Sequence, residues 1–536
     1  MNITLKSSHR QKVMLNESIF LLFLFIIYIL SSVLFLNQPG LCEDEAYHVD
    51  PILNILKNTP QGHLSIKIFG HNVFILLNAW TGPVISLLFL PSLYFFGFNI
   101  YTIRLTRIFY GFVTIILLYF FAKKYFNEKV AKIASFLMAT FPYYIFMYRH
   151  GYLDDGILPT FLLASLLCFY SFYKKGKVSY LYLGSFFSGL GVTSKLNFLW
   201  FLMALSISII VLKVRIILNN KKCIVIALLI FAMAVSPFLV FNLLSPMSKS
   251  HIIGVLRDNF TITYLEHNNI AFYNNLKKNL VQLKIIFNNI TAEYYRNEPI
   301  AIPNPFYFYL FIFVIIFYVF RFVIKKKSQN NNKKVKLLLL MIIIMFFLKN
   351  YTVSILRIEH FVILLPLAIL IIANFIVWVF KRYHPILGYS IIFIITAFNI
   401  ISIFDTYRLL HRERITSMYH SSHPSLAIYS LCNYLQNEDI YCPVSVAPGL
   451  NSSLKILSKG KVKPIIFKTE DSLNPFIDSD NSYFIASLDL YNQRYFTQFK
   501  DLIEKYNKVI IMDKMFLKKT NEPEILVFKL KDKIIK

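Results

Sequence analysis

Eleven apolar runs of 13 to 20 residues fix the solvent of this chain as a lipid bilayer. They fall at 17–36, 104–122, 130–148, 157–173, 180–195, 197–212, 223–241, 305–323, 336–348, 361–380 and 386–404, against the roughly 20 apolar residues that one crossing needs. Composition agrees. Of 536 residues, 56% are hydrophobic and only 16% charged, where a soluble chain carries about a quarter charged residues. Mean hydropathy is +0.55. The expected fold class is therefore mainly α: a polytopic helical membrane protein with about 11 transmembrane helices. Residues 1–404 form the membrane domain.

The net charge of +28 would suggest nucleic acid if the Lys and Arg residues formed one patch. They lie instead in short clusters between the apolar runs, which is topology charge and excludes a nucleic-acid partner. The first run follows a basic stretch with no small-residue cleavage site, so it is expected to remain as an anchor. Residues 64–98 are the difficult stretch, being apolar but interrupted by Pro83 and Pro91. If they do not cross, Lys6, Arg10, Lys123, Lys124, Lys174, Lys175, Lys221, Lys222, Lys333, Lys334, Lys381 and Arg382 all share one side. Glu43, Asp44, Glu45, Asp154, Asp155 and Glu359 take the other. Crossing would scramble this separation, so 64–98 is read as re-entrant or surface-lying helices. The N-terminus is then cytoplasmic, and the outer face holds loops 37–103 and 242–304 and everything beyond 405.

From 405 the texture changes. Strand-length apolar runs at 441–446, 463–467, 483–487, 508–512 and 525–530 alternate with helical patterns near 424–436, 450–458 and 493–506. That alternation predicts a small α/β domain over 405–536. It contains no Gly-rich phosphate loop. Of the five cysteines, Cys432 and Cys442 lie in this tail and would pair only in an oxidising compartment.

Four polar groups interrupt the apolar pattern at the outer boundary. Glu43-Asp44-Glu45 with Tyr47 and His48 follows the first run; three successive carboxylates repel one another unless a cation is near. Arg149-His150 with Asp154-Asp155 ends the third run, and carboxylates there are costly unless hydrated, paired or liganded. Lys195 stands between two short apolar runs, where a Lys can also simply snorkel. Lys349, Arg357, Glu359 and His360 precede the run at 361, and basic residues on that side run against the topology rule. Each group alone has a bland reading as solvated or paired charge. Together they place carboxylates for activating a nucleophile beside cations for holding a phosphate.

At this point the chain resembles the GT-C class of membrane glycosyltransferases, in the superfamily of protein O-mannosyltransferases and the lipid A aminoarabinose transferase. Asp44, Glu45 and Tyr47 resemble the Asp-Glu pair opening the first outer loop. Phe95-Phe96-Gly97 followed by Arg104, Pro142 followed by Leu153-Asp154, the Gly189–Lys195 run, and Arg357–Pro366 resemble further motifs in the same order. The resemblance covers roughly residues 15–404. It implies a GT-C fold and transfer of one sugar, with inversion, from a polyprenyl-phosphate donor to an acceptor: protein, lipid A or another glycan. It implies catalytic roles for Asp44, Glu45 and Asp154, and donor-phosphate contacts for Lys195, Arg357 and His360. Tyr47, His48, Asp155, Arg149 and His71 would support them. No cofactor is called for. No further acidic residue occurs between Asp50 and Glu128, so use of a divalent metal is left open, with His63, His71 or Asn78 as stand-ins. The implied location is the bacterial inner membrane, with the tail domain periplasmic. A transporter or flippase of a lipid-linked anion, or a noncatalytic lipid-phosphate binder, stays open beside this reading. The transporter would normally show paired repeat halves.

Overall fold

The computed structural model describes residues 2–58, 65–77, 80–150, 153–218, 221–244, 269–288, 305–324, 330–351, 358–411, 426–446, 449–467, 474–477, 479, 482–488, 493–517, 521 and 523–533. Helix α1 (Asn2–Ser32) leads into the first loop. That loop holds α2 (Glu43–Leu56), a hairpin of β1 (Ser65–Ile68) and β2 (His71–Phe74), and α3 (Val84–Phe96). The bundle continues with α4 (Ile100–Tyr125), α5 (Glu128–Ala139), α6 (Pro142–His150), the single turn α7 (Leu153–Gly156), α8 (Leu158–Lys175) and α9 (Val178–Ser194). Next come α10 (Phe198–Leu218), α11 (Lys221–Ala234), α12 (Ser236–Leu244), α13 (Asn269–Phe287), α14 (Pro305–Ile324) and α15 (Asn330–Leu348). Two 3-10 turns, Lys349–Tyr351 and Ile358–Leu364, precede α16 (Leu365–Arg382) and α17 (Pro385–His411).

Each expected apolar run coincides with helix. Among the described residues, five helical segments are long and apolar enough to cross by themselves, and the α5–α6 pair, bent by 59°, makes a sixth if counted as one span. The bend sits where α5 ends at Thr140 and Pro142, which has no amide hydrogen to donate, restarts the chain as α6. Local signals set other ends. Asn99 accepts the Thr102 amide at 2.9 Å and starts α4; Lys123 and Lys124 fill its last turn, where cations favour the carbonyl end of a helix. α16 lies at the centre, buried from Leu365 to Val379 on nearly every side.

The stretch 64–98 is only partly as expected. Its second half, α3, is 13 residues long, roughly 20 Å at 1.5 Å per residue and short of a hydrocarbon core of about 30 Å. Ile85, Phe89 and Leu93 are buried, while Tyr94, Phe95 and Phe96 are 68%, 75% and 74% exposed. That is a helix lying along an apolar boundary. The first half is not helix: Ile66 pairs with Val73 and Lys67 with Asn72 in an antiparallel hairpin around Phe69-Gly70. The alternation in Ser65-Ile66-Lys67-Ile68 has the period of a strand.

The tail folds as a layered α/β unit. Its elements are α18 (Ala427–Asn437), β3 (Val444–Ser445), α19 (Asn451–Leu457), β4 (Ile465–Ile466), α20 (Asn474–Ile477), β5 (Phe484–Ser487), α21 (Gln493–Lys505), β6 (Lys508–Leu517) and β7 (Pro523–Asp532). The strand order is β4-β3-β5-β7-β6, with β3 parallel to β4 and β5 and the other pairs antiparallel. Ile428, Leu431, Ile485 and Val527 pack in one cluster, and Phe484, Phe499 and Phe528 in another. Cys432 and Cys442 are free thiols.

The first turn of α2 ties these parts together. Successive helical residues point about 100° apart, so Glu43, Asp44 and Glu45 face three directions, and their charges favour the amide end of the helix. Glu45 points inward and is 1% exposed. Its carboxylate takes Arg104 Nη2 at 2.8 Å and Nε at 3.2 Å, and Arg107 Nη1 at 2.9 Å. Arg104 also donates to the carbonyls of Leu36, Pro39 and Gly40, and Arg107 to that of Met147. Glu43 points to the tail domain, where its carboxylate caps α19 by accepting the Ser452 amide at 2.9 Å and hydroxyl at 2.6 Å. Two turns further on, Asp50 meets Lys455 at 2.6 Å, and beyond the end of the helix Lys57 donates to the Lys459 carbonyl.

Two outcomes follow from these contacts. Glu45→Gln leaves two guanidinium groups buried against a neutral amide, so stability in detergent should fall by about 3 kcal/mol, read as a lower thermal midpoint. Glu43→Ala uncaps α19 at a cost of about 1 kcal/mol. Hydrogen exchange at Ser452 and Ser453 should then speed roughly fivefold, while the amides of α16 stay unchanged.

Candidate functional site

A second charged cluster forms at the same end of the bundle, where α7, the C-terminus of α9 and the two 3-10 turns meet. Lys195 caps α9 with extended backbone, so its cation sits at the carbonyl end of that helix. The first loop braces this turn: Leu196 donates its amide to the Trp80 carbonyl at 3.0 Å, and Gly82 to that of Thr193 at 2.8 Å. A Cβ at position 82 would fall 2.2 Å from the Thr193 oxygen, so the backbones approach this closely only with glycine. Asp155 stands on the single turn α7, just before Pro159 opens α8. His360 lies on the 3-10 turn that hands over to α16.

Asp155 is the centre of this cluster. It is 1% exposed, and its Oδ2 accepts from Lys195 Nζ at 2.6 Å and His360 Nδ1 at 2.9 Å. Asn197 Nδ2 lies 3.2 Å from the same imidazole nitrogen, and Glu359 Oε1 lies 4.0 Å from His360 Nε2. Burial pushes the Asp155 carboxyl up, but the charges and hydrogen bonds of His360 and Lys195 outweigh it and hold the group well below the usual carboxylate range. Lys349 stands beside them. It donates to the His360 carbonyl and lies 4.2 Å from the Phe361 ring centre and 5.1 Å from that of Trp200. Burial pushes its ammonium down to about 7, and the Asp155 charge opposes the shift.

Of the residues singled out in the sequence, Lys195, His360 and Asp155 come into direct contact. Asp44, Glu45, Tyr47 and His48 share α2, which packs against α7. Asp44 is half-buried. Glu45 faces Arg104 and Arg107, Tyr47 donates to the Leu77 carbonyl at 2.8 Å, and His48 is buried. Arg149 serves another junction. It donates to the Leu34 carbonyl at 2.5 Å and lies 5.0 Å from the Tyr407 ring, fastening the end of α1 to α17. Arg357 falls outside the described residues, as do His63, Asn78 and the side chains of Asp154 and His71. Two participants were not anticipated. Arg107, one turn from Arg104 on the same face of α4, was signalled by that spacing; Asn197 had no sequence signal.

The arrangement is a fixed anion holding an ammonium and an imidazole side by side, with a second ammonium next to them. Such a set is suited to a phosphate. Among the described residues, no three His, Cys, Asp or Glu side chains gather as a metal ion would require, and Asp155 already holds Lys195 and His360. The described donor set does not fit a metal, and no step is assigned to one.

Comparison with known proteins bears on the fold that carries this cluster. The sequence model of the dolichyl-phosphate-mannose-protein mannosyltransferase family matches residues 81–241, from the end of the first loop through α12. No curated protein sequence matches the chain. Among solved structures, ArnT from Cupriavidus metallidurans bound to undecaprenyl phosphate is similar, with a TM-score of 0.59 and 9% identity over 95% of this chain and 97% of that one. The Archaeoglobus fulgidus oligosaccharyltransferase in complex with Zn and sulfate has a TM-score of 0.52 and 14% identity, over 94% of this chain and 72% of that one. Along nearly its whole length the chain shares the fold of these two structures, and its residues 81–241 match the mannosyltransferase family model.

Proposed function

We propose that this protein is a glycosyltransferase that moves one sugar from a polyprenyl-phosphate donor to an acceptor at the non-cytoplasmic membrane face. The observation that carries the reading is the Lys195–Asp155–His360 cluster, with Lys349 beside it, at the end of the bundle where α2 presents Asp44. Cations at a membrane boundary gathered around one ionised carboxylate suit a lipid phosphodiester. The structurally similar ArnT was solved with undecaprenyl phosphate bound, and a structure of the archaeal oligosaccharyltransferase carries a tethered acceptor peptide.

In this mechanism Asp155 stays ionised and positions Lys195 and His360 against the donor phosphate. Asp44 accepts the proton of the acceptor nucleophile as it attacks the anomeric carbon. The bond from that carbon to the phosphate oxygen breaks, and the polyprenyl phosphate leaves with the electron pair, its growing charge met by Lys195, His360 and Lys349. Attack opposite the leaving phosphate inverts the anomeric centre. Glu45, already matched by two guanidinium groups, acts by placing α2 and hence Asp44. The tail domain, clasped to α2 through Glu43 and Asp50, stands beside the acceptor side of the site.

Purified protein given a panel of polyprenyl-phosphate sugars should consume one of them, and Asp44→Asn should slow that consumption roughly a thousandfold with donor binding kept. Binding of lipid phosphate without turnover of any donor would instead indicate a binder or transporter. The pH dependence has a definite sign. The donor is a phosphodiester with one charge throughout the neutral range, whereas Lys349 is charged below about 7 and neutral above it. Donor KM should therefore rise between about pH 6 and 8.5, and Lys349→Arg, charged throughout, should flatten that rise.

A further inference from the structure

The other end of the bundle, away from the Asp155 cluster, holds a large chamber. It has a volume of about 810 Å³ and lies among α8, α9, α10, α11 and α15. Its walls are aliphatic and aromatic, with Phe169, Leu205, Ile209, Leu228 and Phe231 among them. Along α10 the lining runs from Leu202 to Leu212, and along α15 from Lys333 to Met341. At 1.5 Å per residue these spans are roughly 12–15 Å, about half of a hydrocarbon core of about 30 Å. The chamber is thus one leaflet deep. Its lining on α9 stops at Ser188, seven residues before Lys195, so it ends below the Asp155 cluster.

Its polar rim has one sign. Lys174, Lys333, Lys334 and Lys336 all line it, and no described lining residue is acidic. Lys334 is turned inward: its ammonium donates to the Tyr125 carbonyl and lies 5.5 Å and 6.0 Å from the rings of Tyr125 and Tyr170. Lys174 lies 5.9 Å from the same Tyr170 ring. The topology rule accounts for lysines on this side of the membrane. It does not account for four of them meeting at the mouth of one apolar chamber, two around a shared ring.

We propose that this chamber binds an anionic phospholipid of the cytoplasmic leaflet, with the headgroup phosphate among Lys174, Lys333 and Lys336 and one acyl chain in the apolar hollow. The depth fits a single-leaflet chain, and the charge of the rim favours a net-anionic headgroup over a zwitterionic one. The site is separate from the donor site at the opposite end and does not depend on which reaction occurs there.

The test uses the full-length protein, delipidated in detergent, with lipid retention read by native mass spectrometry and by the shift in thermal midpoint. Phosphatidylglycerol should bind and stabilise; phosphatidylcholine with the same chains and inorganic phosphate should do neither. Lys174→Gln/Lys333→Gln/Lys336→Gln should weaken phosphatidylglycerol binding roughly a hundredfold. Ile209→Trp, which fills the hollow and leaves the lysines intact, should also abolish it. Equal binding of phosphatidylcholine, or full binding by the triple variant, would overturn the proposal. So would occupancy by inorganic phosphate alone. Displacement of phosphatidylglycerol by a polyprenyl monophosphate through the same three lysines would overturn it too, by assigning the chamber to the donor.

Discussion

The first loop of this protein is held by one buried carboxylate. Glu45 matches Arg104 and Arg107 from α4, and Arg104 spends its remaining donors on carbonyls between Leu36 and Gly40. A buried ion pair is a poor source of net stability, because desolvation offsets most of its attraction. Its value here is positional. Bidentate guanidinium geometry fixes distance and plane together, so the start of α2 is set against the end of a transmembrane helix. With that fixed, consecutive positions do different things: Glu43 clasps the tail domain, Glu45 anchors the loop, and Asp44 projects between them. Three adjacent carboxylates, which would repel one another in a solvated loop, are compatible because the helix separates them in angle.

The two charged clusters solve the same problem in different ways. Around Glu45 the cations outnumber the anion, and backbone carbonyls absorb the excess. Around Asp155 the anion is central and the cations are arranged about it. Lys195 touches that carboxylate directly, while Lys349 feels it only from a distance and rests on a carbonyl and two rings. Both clusters sit at helix ends, where chain breaks expose carbonyls and amides to help solvate charge. None of these charges lies within the apolar centre of a run.

The sequence made the helices legible because spanning apolar runs are a strong signal that tertiary contacts rarely override. The same holds for the tail, where short apolar segments at 483–487 and 525–530 became β5 and β7. Residues 65–74 were harder. Their alternation is only a few residues long and sits beside the apolar α3, so a helical reading absorbed it. At the site, charge topology alone put Asp155, Lys195 and His360 on one face, and contact between them needed three dimensions. Asp154 and Asp155 are adjacent in a single turn, and sequence spacing cannot say which faces Lys195. As a partner for Asp154, five residues on, Arg149 was legible. That its partners are carbonyls at the end of α1, on a helix more than a hundred residues earlier, was not.

The division of the molecule into two ends has a physical reason. A lipid-linked sugar phosphate needs cations where its headgroup lies and an apolar surface where its chain lies, and a helical bundle supplies cations cheaply only at its rims. At the loop end the cluster is built on Asp155 and Glu359, and burial pushes the Lys349 ammonium beside it down to about 7. An anion arriving beside it would favour the charged form, so binding and proton uptake are linked there. At the lysine end no described carboxylate lines the chamber, while Glu17 and Glu128 pair with Lys123 and Lys132. One end is built around buried carboxylates, while the chamber at the other has none among its described lining residues.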